Sequence, residues 1–387
     1  CPSPNLVVLV GDAPLLNGDT LTSLVECHTQ SEASATVLTT RLEDPRGYGR
    51  IIRAAGARVR AIIEEKDLTP AQKKIREVSS GIICFSRREL LDHLDELTDT
   101  NSQREFLLTD MVRIFNRRRR KVTAFSVVNS REVLGVNDRV ELAKVEKIIR
   151  RRKAESLMRD GVTITDPRSA MIDEPVEVGR DTRIEAGVQV LGRSRIGGNC
   201  HLQPYSVISE SALGESVTIR PFCVITRCEV NPGAMVGPFA HLRDGAVIGP
   251  EARIGNFVEV KKSTVGRKAK SLHLAYLGDA VIGEGANVGA GVVTCNYDGE
   301  KKHPTVIEDG VFVGSGSMLV APIRIGRGSY VAAGSTLTAD VPADSLALGR
   351  AHQVNKEGWA RERRKAENLS AHAPDSKSGT TGDRLPQ

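Results

Sequence analysis

The chain has 387 residues, 40% of them hydrophobic but only 4% aromatic, and a net charge of +6. That length allows two to three domains at roughly 150 residues each. The charge is too mild to mark a nucleic-acid binder and suits anionic small substrates, and no run of about 18 apolar residues marks a membrane span.

Residues 1–137 alternate strand and helix patterns. Residues 6–10 are an apolar run of the kind that fills a buried parallel strand, and they end in Gly11-Asp12-Ala13-Pro14. Periodic segments recur at 21–28, 35–39, 59–63, 81–85, 88–97, 107–116 and 122–127. Asp12 thereby falls at the carboxyl end of a strand, where open α/β sheets bind ligands. A carboxylate there can hold Mg²⁺. The chain opens at Cys1 and is in a strand by Leu6, so an N-terminal segment is expected to be missing.

Residues 138–160 are charged and lack Gly and Pro. They predict a linker helix with Leu142, Val145 and Ile149 on one face, ended by Gly161. The cationic run 150–153 reads as a solvated helix face.

From Val178 an aliphatic residue recurs every six positions: Ile184, Val190, Ile196, Leu202, Ile208. After single-residue slips the period resumes through Leu213, Ile219 and Ile225, then from Val230 to Val260, and finally from Ile307 to Leu337. Six fits neither the 3.6 of a helix nor the 2 of a lone strand. It fits a parallel β-helix that turns a corner once per hexapeptide, with the aliphatic residue inside. The period breaks at 261–275 and 296–304, and both segments are expected to loop out and build a site. Residues 360–387 are polar and expected to be disordered. The seven cysteines show no CxxC spacing, which predicts free thiols in a reducing, cytoplasmic compartment.

Specific motifs interrupt the coil: His-Leu-Arg-Asp-Gly (241–245), Gly-Asn-Phe-Val-Glu-Val-Lys-Lys (255–262), His-Leu-Ala-Tyr-Leu-Gly-Asp (273–279), Asn-Val-Gly-Ala-Gly (287–291), Thr-Cys-Asn-Tyr-Asp-Gly (294–299) and Lys-Glu-Gly-Trp (356–359). Upstream stand Gly-Asp-Ala-Pro (11–14), Gly-Tyr-Gly-Arg-Ile (47–51), Ile-Glu-Glu-Lys-Asp (63–67) and Gly-Val-Asn-Asp-Arg (135–139). In order and over residues 1–359, these resemble the bifunctional bacterial enzymes with N-acetylglucosamine-1-phosphate uridyltransferase and glucosamine-1-phosphate N-acetyltransferase activities.

The resemblance implies a partial Rossmann-like nucleotidyltransferase domain at 1–137 and the linker helix at 138–160. A left-handed β-helix acetyltransferase domain follows at 161–350, then a tail at 351–387. It implies acetyl transfer from acetyl-CoA to glucosamine-1-phosphate. Uridylyl transfer from UTP then gives UDP-N-acetylglucosamine for peptidoglycan and lipid A. His273 matches the general base. Arg243, Lys261, Tyr276 and Asn287 match sugar-phosphate contacts. Ala290, Asn296, Tyr297, Ser315, Ala333 and Arg350 match acetyl-CoA contacts. Asp12 and Asn137 match Mg²⁺ ligands, and Gly49, Glu64, Ser79 and Asn137 match UDP-sugar contacts. A cytoplasmic homotrimer is implied, with no nucleic-acid partner.

Two departures concern the uridyltransferase half. Ser79 stands where the family usually has Asn. The family's Gly-rich nucleotide loop, with its Arg and Lys, is absent from this sequence. The chain is therefore expected to lack uridyltransferase activity that its parent has; robust turnover of UTP would refute this. Three other readings compete with the family assignment: a non-catalytic scaffold, against which the clustered Arg, Lys, His and Tyr in the interruptions argue, and two enzymes. One is a sugar-1-phosphate nucleotidyltransferase whose β-helix is regulatory, which has no need of the 273–279 motif. The other is a zinc hydro-lyase, which needs three converging histidines such as His201, His241 and His273.

Overall fold

The computed structural model describes residues 3–54, 58–100 and 104–371. The chain divides into two compact units, with the break between Ser216 and Val217. That break falls inside the hexapeptide region, not at the linker helix.

The first unit begins with strand β1 (Asn5–Val8), helix α1 (Gly18–Ser31), β2 (Ala35–Arg41), β3 (Arg50–Arg53) and β4 (Val59–Ile63). It continues with β5 (Glu77–Ser86), α2 (Arg87–His93), α3 (Met111–Arg117), β6 (Val122–Ser126) and α4 (Arg139–Arg159). The sheet order is β4-β3-β5-β2-β6, with β1 also on β5. β2 and β6 run parallel, whereas β5 is antiparallel to β1, β2 and β3. The core is Val37, Ile51, Ile83, Phe85, Met111 and Phe115, all close to fully buried. Residues 6–10 therefore do not form the buried parallel strand their composition predicts. β1 pairs antiparallel with β5 alone among the described residues, and Leu6 and Leu9 are exposed. An apolar run carries no record of strand direction, so this difference could not be read from it. β3, short and flanked by arginines, was not foreseen.

α4 forms where the charged segment predicts. Asp138 caps it by accepting the Glu141 N–H at 2.7 Å. Gly161, at φ +100°, follows its end. Of the three residues predicted to share its face, Val145 is buried and Ile149 half-buried, but Leu142 is exposed; Ala154 and Leu157 are buried further along. The coil begins at Thr163 within this unit. Arg183 pairs in parallel with Thr163 and His201, Gln189 with Met171 and Val207, and Arg195 with Glu177 and Ala212. These are the three faces of a triangular prism.

The second unit carries the rest of the left-handed hexapeptide coil, from Thr218–Ile219 to Leu346–Ala347. Ile225, Leu242, Ile248, Val260, Val313, Leu319 and Ile325 are fully buried. Each such aliphatic stabilises the prism by about 1.5–3 kcal/mol. The segment 261–275 does not loop out as expected. It keeps the coil, with strands Thr264–Val265 and Lys270–His273. The period breaks because one hexapeptide is a residue short between Val260 and Val265, and because Ser271 stands in file with Ile254 and Val288. Residues 296–304 do leave the coil, closed by a Tyr297–Lys302 bridge. The tail also departs from expectation. Trp359–Ala371 is a helix, α5, rich in strong helix formers and carrying an Arg363–Glu367 pair at 3.0 Å. Residues 372–387 lie outside the described residues.

Candidate functional site

In the first unit, one cavity of about 370 Å³ is lined by Asp12, Gly49, Glu64, Ser79 and Asn137 together. All five candidates for the nucleotide-sugar site thus converge. Arg50, almost fully buried, donates to Tyr48 O and pairs with Glu65 at 2.7 Å, which ties the Gly-Tyr-Gly turn to the strand that follows. Thr109 Oγ1 donates to Glu64 Oε1 at 3.1 Å. Gly49 faces the same carboxylate: a Cβ there would lie 3.3 Å from Glu64 Oε2. Gly135 keeps space open between the two candidate metal ligands, since its Cβ would lie 3.2 Å from Asp12 Oδ2 and 3.8 Å from Asn137 Nδ2. One carboxylate and one amide oxygen are few ligands for a caged cation. They fit Mg²⁺, which keeps waters and substrate phosphates in its shell.

In the second unit, two charged candidates share one face of the prism. Arg243 is in register with Lys261, and Lys261 with Gly278, on successive coils. Glu259 lies between His241 and Tyr276 in the same sheet and accepts from Arg243 Nε at 2.7 Å. The Tyr276 ring lies across Gly278, where a Cβ would sit 2.5 Å from Oη. The phenol is thereby aimed beside Lys261.

The 296–304 loop adds a cation that the sequence reading missed. Lys302 stands against Lys261, and its ammonium, with burial and Arg243 adding, holds the Lys261 pKa below the usual lysine range. Cations crowded this way repel one another, and an anion entering between them would relieve that repulsion. No periodic pattern could reveal Lys302, because it lies in an insertion. The loop is held by Asp298, whose side chain accepts from Glu300 N, Lys301 N and His303 Nε2 at 2.6–2.8 Å. Those bonds keep the Asp298 carboxyl well below the usual carboxylate range. At the loop's base, buried Asn296 donates to Asp279 Oδ2 and accepts from His303 N.

His273, Ala290, Ser315 and Ala333 fall on one corner. Lys270 pairs with Asn287 and Tyr276 with Val293, so His273 lies one coil below Ala290. Gly316 N donates to Ala290 O at 2.7 Å and Gly334 N to Ser315 O at 2.8 Å, which continues the file through Ser315 and Ala333. Arg350 lies over Gly334, 3.9 Å from where its Cβ would be. A narrow strip of small residues thus starts one coil, about 5 Å, from an exposed histidine. Asn287 stands on the sheet leading into that corner. Tyr297 is exposed on the loop, its hydroxyl bonded to Gly299 O. Among the described residues, no three His, Cys, Asp or Glu side chains converge as the zinc reading requires.

Residues 227–262 and 304–339 match the family profile described as bacterial transferase hexapeptide (six repeats). A Koribacter versatilis protein named bifunctional protein GlmU is 48% identical over 363 residues, covering 93% of this chain and 77% of that protein. The protein of the same name from Geotalea daltonii is 49% identical over 92% of this chain and 78% of its own length. A solved Arabidopsis UDP-N-acetylglucosamine acyltransferase is 16% identical over 52% of this chain and 77% of its own, at a TM-score of 0.41, too slight a likeness to carry an argument. Near-half identity maintained through both the α/β sheet and the coil leaves one assignment: the chain belongs to the bifunctional protein GlmU family.

Proposed function

We propose that the coil transfers acetyl from acetyl-CoA to the amine of glucosamine-1-phosphate. We further propose that the α/β sheet handles the sugar end of uridylyl transfer from UTP to N-acetylglucosamine-1-phosphate. Residues 1–137, 138–160 and 161–350 serve as uridyltransferase region, linker and acetyltransferase region. The observation that carries the first assignment is the corner itself. An exposed histidine starts a strip of small residues, beside a face bearing Arg243 and Lys261 and a loop bearing Lys302.

The chemistry follows from that layout. Arg243, Lys261 and Lys302 hold the sugar phosphate; the guanidinium gives directed bonds and the lysines give point charge. Tyr276 and Asn287 contact the sugar. Ala290, Ser315 and Ala333 let the pantetheine lie along the corner. Asn296 and Tyr297 contact acetyl-CoA from the loop, and Arg350 meets a CoA phosphate. His273 takes the proton from the sugar amine as its nitrogen bonds the thioester carbon. The C–S bond then breaks, and the proton passes from His273 to the departing thiolate. In the α/β sheet, Gly49, Glu64, Ser79 and Asn137 contact the UDP-sugar. Asp12 and Asn137 would hold Mg²⁺, which when bound offsets the charge of the triphosphate.

A thiol-release assay with acetyl-CoA and glucosamine-1-phosphate tests the reading. Release that depends on the sugar is expected; none would favour a nucleotidyltransferase with a regulatory coil. Lys302→Ala is expected to raise KM for glucosamine-1-phosphate about tenfold, the scale of one lost charged hydrogen bond. An unchanged KM would remove Lys302 from the phosphate site.

We read the active form as a cytoplasmic homotrimer. Phe222, Phe239 and Phe257 stack on successive coils with centroids 5.0 and 5.2 Å apart, each close to half exposed. Leu274 continues the row beside His273. An exposed apolar row of this length fits an interface between copies. Phe239→Asp is expected to shift the chain to monomer in sedimentation and lower acetyl transfer. A trimer that withstands this change would place the interface elsewhere. Free thiols at Cys27, Cys84, Cys200, Cys223, Cys228 and Cys295 suit a reducing compartment.

A further inference from the structure

Two shielded polar atoms without a hydrogen bond lie at the coil that carries His273: Asn256 Oδ1 and Ser271 Oγ. Bare buried acceptors are rare in folded chains, and each calls for a reason. Ser271 stands in file with Ile254 and Val288, inside the prism. Asn256 stands elsewhere. It is the register partner of His273 on the adjacent parallel strand, and its carbonyl accepts the Leu274 N–H at 2.9 Å. Register partners in parallel strands send their side chains to the same face, about 5 Å apart.

A histidine acting as base must keep one ring nitrogen bare. The other then carries the hydrogen and needs an acceptor to fix the tautomer. The nearby carboxylates are engaged: Glu259 with Arg243, Asp279 with Asn296, and Asp244 with Arg227 and Arg243. Asn256 Oδ1, in register with His273, has no hydrogen bond at all.

We propose that Asn256 is a positioning residue for His273: its side-chain oxygen accepts the Nδ1 hydrogen of the imidazole and leaves Nε2 bare toward the sugar amine. His273 is exposed, so its ring has room to turn toward Asn256. Such bonds commonly tighten only once substrate is bound. When Nε2 takes the amine proton, the ring becomes cationic and the bond to Asn256 strengthens. The inference rests on His273 being the base.

The test compares Asn256→Ala and Asn256→Asp with the unaltered chain in acetyl-transfer kinetics across pH. Asn256→Ala is expected to lower kcat 10- to 50-fold, with KM for both substrates within twofold and the melting temperature little changed. The acidic limb of its pH profile moves to lower pH, because the imidazolium loses an acceptor. Asn256→Asp moves that limb to higher pH, because a carboxylate stabilises the imidazolium. Lys270 on the same strand, Glu259, Asp279, Arg243, Lys261 and Lys302 are common to all three proteins, so the opposite shifts report on position 256. Ring-¹⁵N histidine spectra, assigned with His273→Ala, are expected to give the Nδ1–H tautomer in the unaltered chain and a mixture in Asn256→Ala. A kcat within twofold and an unmoved limb in Asn256→Ala would overturn the proposal. So would limbs that shift the same way in both variants, which would indicate a merely structural role. Full activity in His273→Ala would overturn the base assignment and this inference together. An inactive His273→Ala beside a normal Asn256→Ala removes only the inference.

Discussion

Changing His273 to alanine is expected to lower kcat for acetyl transfer about a thousandfold, within the range that a positioned general base supplies. KM for glucosamine-1-phosphate should stay within a few fold, because on the proposed reading the phosphate would rest on Arg243 and Lys261 of the adjoining face and Lys302 of the loop. The melting temperature should not move. The side chain is exposed at the end of its strand, and the prism is filled by Val260, Leu277 and Val288 instead. Stopped-time thiol release and thermal unfolding on the same preparation separate these effects. A variant that kept the parent kcat would show that the substrate amine loses its proton elsewhere. One that lost kcat and unfolded together would make His273 structural. Added imidazole should restore part of the rate, since it can enter the space the side chain leaves.

The coil was legible because its constraint repeats. One inward position per hexapeptide must be aliphatic, and residues such as Ile184, Leu242 and Val313 meet that demand and are buried. The loop that names the site was legible for the opposite reason, as the place where the period fails. The same logic misled at 261–275. A short hexapeptide and an inward serine break the pattern on paper without breaking the coil, because the backbone ladder does not depend on side-chain identity. Side-chain placement within a break was beyond reach. Lys302 becomes a phosphate candidate only when the Tyr297–Lys302 bridge folds the loop back against Lys261. In the α/β sheet the five candidates came from motifs far apart in the chain, and it is sheet order that brings Asp12, Gly49, Glu64, Ser79 and Asn137 to one cavity. On α4 the predicted face is covered at Val145 and Ile149 but not at Leu142, because helical periodicity fixes which residues share a side, whereas the extent of the neighbour decides how much of that side is buried.

Gly255→Ala is expected to be among the most damaging single-methyl additions near the site. A Cβ at 255 would lie 2.0 Å from Leu272 O and 2.5 Å from Leu272 C. Both are backbone atoms, so no rotamer change relieves the overlap, and the two coils must move apart or slide. Leu272 is the residue before His273, and Asn256 is the residue after Gly255, so the strain falls on the pairing of Asn256 with His273. Overpacking of this kind costs roughly 3 kcal/mol. At about 2–4 °C per kcal/mol for a unit of this size, the coil's melting temperature should fall by some 6–12 °C. A displacement near 1 Å at the base should also cost kcat about a hundredfold. Gly285→Ala is the control. Gly285 has φ +67° and nothing within 4 Å of its Cβ position, so alanine there meets only the cost of a left-handed backbone, about 1 kcal/mol. Lys268 already adopts φ +57° one coil below, which indicates that the corner tolerates a side chain. Gly285→Ala should therefore melt a few degrees lower and keep its kcat. If Gly255→Ala behaved like Gly285→Ala in both measurements, the coils could slide past the clash without disturbing the site. The close approach of residues 255 and 272 would then not be what holds His273 in place.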